Sequence, residues 1–403
     1  MQVETKESLF QPGQPVSADR FKGREEVIQE VLKYFPAVRH GNPQHFFVMG
    51  KRGMGKTSLA NFISDYVSKN YSMVTAHVMN DGIHTIDDLV IQTVERILNS
   101  INSEKWSDKI FGFFEDHIEF AGFGGLTIKF KPSDMELKYI KDNFAFYLAD
   151  LVNYFKDKDG LFIVIDDINA LCDTPDFANW YKSFTDTLAT SIDNAPISIM
   201  LTAYPDKFTK VYNHNPSFNR IFHVHELHRL TDEEIKEFYR DIFSFYKMDI
   251  DDVALELMTE YSSGMPTMMQ EIGDATFWYD KDNFIDYEDA VVGIIEAGNR
   301  IGLKYLQPLD QKIRSENYLS LFKKIGKELA ASPNSTFTKK EFVDVLNEQE
   351  SKVFKDFISR AKKLGIIELA GSKKHGEYQF TNQLYPIYFM IQTFKEENTR
   401  VYY

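Results

Sequence analysis

The most specific chemistry in this 403-residue chain sits in eight consecutive residues: Gly50, Lys51, Arg52, Gly53, Met54, Gly55, Lys56 and Thr57. They match the pattern GxxxxGK[ST]. Glycines let a backbone wrap closely round phosphates. Successive amides, and the positive end of a following helix, then face the negative charge. In that arrangement Lys56 reaches the β- and γ-phosphates, and Thr57, followed by Ser58, offers its hydroxyl to Mg²⁺. An apolar strand over residues 45–49 precedes the pattern and a helix over 56–68 follows it, which is the setting this chemistry requires.

A second run, Leu161-Phe162-Ile163-Val164-Ile165, is apolar throughout and ends in Asp166-Asp167. A buried strand of this kind delivers carboxylates to its C-terminal end, beside a phosphate loop. Asp166 would hold Mg²⁺ through water, and Asp167 would orient or deprotonate an attacking water. Other candidates are weaker. His223, His225 and His228 cluster without a cysteine or a matching carboxylate spacing, so exposed or core-edge histidines are the reading. Cys172, the single cysteine, reads as a small buried hydrophobe. One cysteine closes no intramolecular disulfide, which excludes a secreted disulfide scaffold and suggests a cytoplasmic, reducing compartment.

The elements that must position these residues alternate. Strands are expected near 45–49, 73–79, 161–165, 196–203 and 221–225. Helices are expected up to 35, then over 56–68, 85–101, 134–156 and 180–192. The segment FAGFGGLTIKFK reads as a glycine-broken hairpin. Strands alternating with helices indicate an α/β domain with a mainly parallel sheet. Beyond Leu230 come helices over 231–246, 251–262 and 265–279, the first opened by a capping box at Thr231–Glu234. The C-terminal part reads as helix 317–331, a capping box at Thr338–Glu341, helix 349–364 and strands 366–369 and 377–380. Helix, helix, helix, hairpin is the order of a winged helix-turn-helix. The divisions are therefore an arm over 1–20, a core over 21–229, a helical lid over 230–308 and a winged helix over 309–403.

Composition bounds the partners. The chain carries 60 acidic and 46 basic residues, a net charge of −14, which excludes a chain that coats nucleic acid over its whole surface. The charge is uneven. Residues 315–403 hold 14 Lys/Arg against 11 Asp/Glu, a net of +3, and the other 314 residues carry −17. Lys352, Lys355, Arg360, Lys362 and Lys363 lie on one helix, and Lys373 and Lys374 at the wing tip. A helix in the major groove with a basic wing over the backbone would grip double-stranded DNA. A solvated lysine-rich face remains the alternative. No apolar run approaches the roughly 18 residues of a membrane span, and the first residues lack the order of a secretory signal. No membrane partner is expected.

These residues resemble the AAA+ class and its relatives, the signal-transduction ATPases. The FKGREEV segment is similar to the F-x-GR-x-x-E element of origin-recognition-type initiators and of archaeal and bacterial ATPases, which implies that Phe21, Gly23 and Arg24 lie near the nucleotide. Ser263-Gly264-Met265-Pro266 resembles the Gly-x-Pro turn whose proline contacts the base in the signalling branch. By position, Thr202 would sense the γ-phosphate, and Arg220 would serve as an arginine finger completing a neighbouring subunit's site, or be a solvated surface arginine. Three departures stand out. Asp167 replaces the usual Glu, Thr202 replaces the usual Asn, and no sensor arginine lies beside Gly264. The resemblance implies an α/β P-loop NTPase of AAA+/ASCE type with a helical lid and a C-terminal winged helix. It implies ATP and Mg²⁺ as ligands, slow hydrolysis, and an ATP-dependent homo-oligomer. Two functions follow: a DNA-associated, initiator-like or regulatory switch, or a signalling or defence ATPase whose winged helix is regulatory and whose output is a protein partner.

Overall fold

In chain order the first part of the molecule holds β1 (Gln44–Met49), β2 (Val74–Met79), β3 (Ile118–Ala121) and β4 (Thr127–Phe130). It continues with β5 (Leu161–Asp166), β6 (Ile197–Ala203) and β7 (Phe222–Glu226). Strands β3 and β4 pair antiparallel; the glycine turn of the expected hairpin, residues 122–126, lies outside the described residues. The other five form one parallel sheet in the order β2-β5-β6-β1-β7. Every residue of β5 and β6 is buried. That is why these strands read as uninterrupted apolar runs: helices cover both faces of a parallel sheet. Each Val, Ile, Leu or Phe so buried stabilises the sheet by about 1.5–3 kcal/mol. Strand β6 lies between β1 and β5, with Thr202 opposite Val48 and Leu201 opposite Ile165. The sheet order therefore sets Thr202 between the end of β1 and the acidic end of β5.

The computed structural model describes residues 7–80, 82–101, 118–121, 127–155, 158–306, 318–329, 336–370, 376–389 and 391. They form two compact units, one of residues 15–228 and one of the N-terminal segment before Pro15 together with residues from Arg229 onward. The polar arm read over 1–20 is thus divided. Phe10 is 3% exposed and packs on Phe238 and Phe243 of the second unit. Val16 belongs to the first unit, where its N–H donates to Ser58 Oγ at 3.0 Å. One aromatic side chain with a buried destination turns a polar-looking tail into part of a core.

Several helices differ from their sequence reading. The one expected up to 35 ends at Leu32 and is followed by a separate helix Phe35–Arg39. The stretch 134–156 is split into helices Asp134–Asp142 and Phe144–Asn153. Asn143 at the break has φ −116° and ψ 26°, and its side-chain amide donates to the Tyr139 carbonyl, competing with helix continuation. The helix expected from 180 begins earlier, as Pro175–Thr190, because Pro175 fits a first turn that needs no N–H.

In the second unit, helices Asp232–Phe245, Asp252–Ser262, Pro266–Tyr279 and Tyr287–Ile301 enclose one apolar core. The Thr231–Glu234 capping box is formed. Farther on come helix Leu319–Leu329, a 3-10 turn Lys339–Phe342, helix Glu348–Lys363 and the antiparallel pair β10 (Ile367–Leu369) and β11 (Tyr378–Phe380), with the short strands β8 (Asp249–Ile250) and β9 (Phe284–Ile285) preceding. The middle of the three expected C-terminal helices is thus a single 3-10 turn, although the Thr338 N–H does bond Glu341. Residues 230–308 and 309–403, read as separate divisions, fall in one compact unit. Close approach explains this: a Cβ on Gly298 would come within 2.7 Å of Ile387, and one on Gly302 within 1.8 Å of the Tyr388 ring. No helix among the described residues is long and apolar enough to cross a membrane.

Candidate functional site

Strand β1 ends at Met49 and helix Lys56–Asn70 begins six residues later. The turn between them needs left-handed backbone at Gly53 (φ 81°) and at Gly55 (φ 84°), which glycine adopts without a Cβ penalty. Gly50 is held tightly, since a Cβ there would lie 3.2 Å from Leu227 Cβ. The Lys56 ammonium bends back over the loop. It donates to the Gly50 carbonyl at 2.9 Å and lies 4.7 Å from the Tyr204 ring centroid. Burial pulls its pKa below the ordinary lysine value, while Asp167 and Asp166 oppose that shift. Lys51 and Arg52 are exposed at the loop's outer edge, and Met54 is buried beneath it.

Asp166 is 2% exposed, and three side chains converge on its carboxylate. Thr202 Oγ1 and Thr57 donate hydrogen bonds to it, and His77 Nε2 lies 3.3 Å away. Burial pushes the carboxyl pKa up. The hydrogen bonds from His77, Thr202 and Thr57 outweigh burial and hold it below the ordinary Asp value. Asp166 is therefore an anion at neutral pH. Asp167, the next residue, is exposed and takes φ 62°, a conformation that costs a non-glycine residue about 1–2 kcal/mol. Three partners hold it there. Its N–H donates to Thr202 Oγ1 at 2.9 Å, its carbonyl accepts from Asn80 Nδ2 at 3.1 Å, and its carboxylate accepts from Asn169.

The Thr57 hydroxyl, one buried anionic carboxylate and the loop lysine stand together at the start of one helix. Oxygen donors of this kind suit a hard divalent cation beside phosphate oxygens. Asn80 Oδ1, buried and without a hydrogen-bond partner among the described residues, adds a further acceptor next to this group. The residues present thus fit a magnesium–nucleotide.

Residues 20–180 match the AAA ATPase domain family. The ORC2 protein of Aeropyrum pernix, solved as ADPNP–ADP complexes, superposes with a TM-score of 0.59 at 11% identity, covering 97% of this chain and 98% of that one. The fold is that of an AAA+ P-loop ATPase. A Walker-type ATPase of Pyrococcus abyssi superposes with a TM-score of 0.54 at 13% identity, covering 94% of this chain and 99% of the other. Cdc6p of Pyrobaculum aerophilum gives 0.51 at 15% identity, covering 96% and 98%. None of the curated proteins matches the chain.

Within this AAA+ fold the sequence-derived residues are distributed unevenly. Gly23 and Arg24 form a left-handed turn, and Arg24 Nη2 reaches the Met54 carbonyl at 3.5 Å, so this arginine does stand against the phosphate loop. Phe21 packs its ring 5.2 Å from Phe62 on the loop's helix. Ser58 is engaged elsewhere, its hydroxyl accepting from Val16. Thr202 is 0% exposed, and its hydroxyl serves Asp166 and Asp167. It organises the acidic pair from behind. Arg220 is exposed in the 3-10 turn Phe218–Ile221 that precedes β7. Pro266 opens helix Pro266–Tyr279 in the second unit. Cys172 is fully buried, and burial pushes its thiol up to about 12, which removes it as a nucleophile. His223 stacks on Tyr34 and bonds Gln44, and no metal-holding cluster occurs among the described residues.

Sequence reasoning passed over His77, Asn80, Asn169 and Tyr204. His77 and Asn80 act because β2 is the neighbour of β5, with Met79 opposite Asp166. A polar residue directly after a strand, as Asn80 is, was the available signal. Asn169 links Asp167 to the Tyr204 N–H, which it receives at 2.9 Å. Of the basic C-terminal residues, Lys352, Lys355, Arg360, Lys362 and Lys363 all lie exposed on helix Glu348–Lys363. Lys373 and Lys374 lie outside the described residues.

Proposed function

We propose that this chain is an ATP-controlled switch: an AAA+ ATPase that binds Mg-ATP, hydrolyses it slowly, and through a C-terminal winged helix associates with double-stranded DNA. The observation that carries the nucleotide part is the contact of Thr57, Thr202 and Asp166 at the mouth of the glycine loop. In this reading the loop amides, Lys56 and the residues Gly50 to Ser58 embrace the phosphates. Phe21, Gly23 and Arg24 border the nucleotide, and Pro266 meets the base as the family resemblance implies. Thr57 and Asp166 would hold Mg²⁺, which would supply positive charge against the phosphates. Asp167, fixed by Thr202, Asn80 and Asn169, orients or deprotonates water. With one methylene less than Glu it reaches a shorter distance, which keeps turnover slow. Thr202 relays the state of the acidic pair, and Arg220 could complete the site of a second copy.

A device for output supports the switch. Arg229 Nη1 donates to the Ser263 carbonyl at 2.6 Å and Nη2 to the Thr381 carbonyl at 2.8 Å, and Ser263 Oγ accepts from the Gln383 N–H. The turn before Pro266 is thereby tied to the end of β11. A change at the base-contacting turn would move the C-terminal module with it. The net charge of +3 on that module, against −17 elsewhere, favours DNA as its partner.

Lys56→Ala tests the nucleotide reading. Binding of ATP, measured by calorimetry, should weaken about 100-fold or more, and unchanged binding would refute the site. The absence of salt-dependent duplex binding at low ionic strength would refute the DNA reading and leave a protein partner as the output.

A further inference from the structure

The basic residues of the C-terminal module do not form one uniform face. A groove of about 490 Å³ runs between helix Glu348–Lys363 and the β10–β11 hairpin. Its walls carry Lys339, Lys355 and Lys362, its floor is Phe354, Ile358 and Tyr378, and no carboxylate lines it among the described residues. Lys339 comes from the 3-10 turn, where its ammonium lies 5.8 Å from the Phe354 ring and within 3.5 Å of the Ser351 carbonyl. Lys355 and Lys362 are seven residues apart on one helix face, a rise of about 10 Å, or roughly three nucleotides of one duplex strand. Lys352, one turn before Lys355 on the same helix, is not part of the lining and is paired with Glu348 at 2.7 Å.

We infer that this groove is a binding site for the phosphodiester backbone of duplex DNA and that it holds the backbone without reading sequence. The inference rests on the DNA reading above and deepens it. Charge complementarity selects a polyanion: three lysines line one groove, with no carboxylate among the described lining residues. Lysine is a point charge on a flexible stem and a common phosphate binder. The described lining holds no Arg, Asn or Gln, whose planar groups make bidentate base contacts, so it favours the backbone over base edges. The apolar floor carries the lysine stems and keeps the charged heads at the rim, where a passing strand meets them. Arg360 and Lys363, away from the groove, add only diffuse field.

Fluorescence anisotropy on the full chain tests this, with two duplexes of unrelated sequence across a salt series. The variant Lys339→Ala/Lys355→Ala/Lys362→Ala should lose about 10-fold or more in affinity at low salt. Its log–log salt slope should shrink by about 2–3, at about 0.9 per phosphate contact. Both effects should be equal for the two sequences. The control Lys352→Ala/Lys363→Ala should change affinity less than about threefold. All these lysines are exposed, and matching thermal melts identify any variant that fails to fold. For a variant that does fail, Lys355→Gln/Lys362→Gln replaces it, with a slope change of about 2 expected. A groove variant that binds like the unaltered chain overturns the inference while leaving DNA association intact. A loss confined to one sequence overturns its sequence-independent part. An unaltered chain with no salt-dependent duplex binding defeats the DNA reading itself, and the groove with it.

Discussion

The glycine loop and the lysine groove are each proposed to meet an anion, and they are built in opposite ways. At the loop, the decisive groups are cross-linked by hydrogen bonds, and Asp166 and Thr202 are also buried. Asp166 is 2% and Thr202 0% exposed, and Asp167 is held in a costly conformation by separate bonds to its N–H, its carbonyl and its carboxylate. At the groove, the charges ride on exposed lysine stems over an apolar floor. Preorganised polar groups in a dry site fix distances, which is what positioning a water and a metal demands. Mobile surface charges fix no distances. They supply attraction that salt screens, suited to holding a backbone wherever it lies. One site is made for geometry and the other for charge.

The comparison can be broken most severely at Asp167. Asp167→Asn keeps the hydrogen-bonding shape and removes the base. ATP turnover should fall about 100-fold or more, with nucleotide affinity nearly unchanged in a binding titration. Turnover equal to the parent would mean that the strained carboxylate is not part of the reaction. Thr202→Val gives a smaller effect and sharpens the claim of preorganisation. It preserves volume while leaving the Asp167 N–H and an Asp166 oxygen without their partner. Stability should drop by about 1–3 kcal/mol in a denaturant titration, and turnover by about tenfold, while duplex binding without nucleotide stays as it was. If turnover is untouched, the buried hydroxyl is structural only. The smallest change is expected at Lys352, which already has a partner in Glu348, and this separates a charge that is free to act from one that is not.

The legibility of the molecule follows the same division. The sheet could be read because its central strands are buried on both faces, so that Leu161–Asp166 and Ile197–Ala203 show unbroken apolar runs. The glycine loop was legible because its chemistry needs fixed residue types at fixed spacing. The role of Thr202 was not, since its place behind Asp166 depends on β6 lying between β1 and β5. His77 and Asn80 were hidden for the same reason, being brought to the acidic pair by β2 from more than 80 residues away in sequence. Phe10 was lost in a polar segment, because one buried ring leaves no periodic trace. In the C-terminal module the lysine-rich helix was plain, yet nothing in the spacing distinguished Lys355 and Lys362, which line the groove, from Lys352, which does not. Lys339, set by a 3-10 turn read as a helix start, could only be found in three dimensions.

The central claim is that nucleotide held by the rigid site alters the grip of the flexible one. Its most direct test is duplex affinity of the Asp167→Asn chain, measured across a salt series with and without Mg-ATP, beside the Lys56→Ala chain. The account predicts that Mg-ATP changes duplex affinity severalfold in Asp167→Asn and has no effect in Lys56→Ala, with both binding more weakly as salt rises. Duplex affinity in Asp167→Asn that is identical with and without saturating Mg-ATP would contradict it.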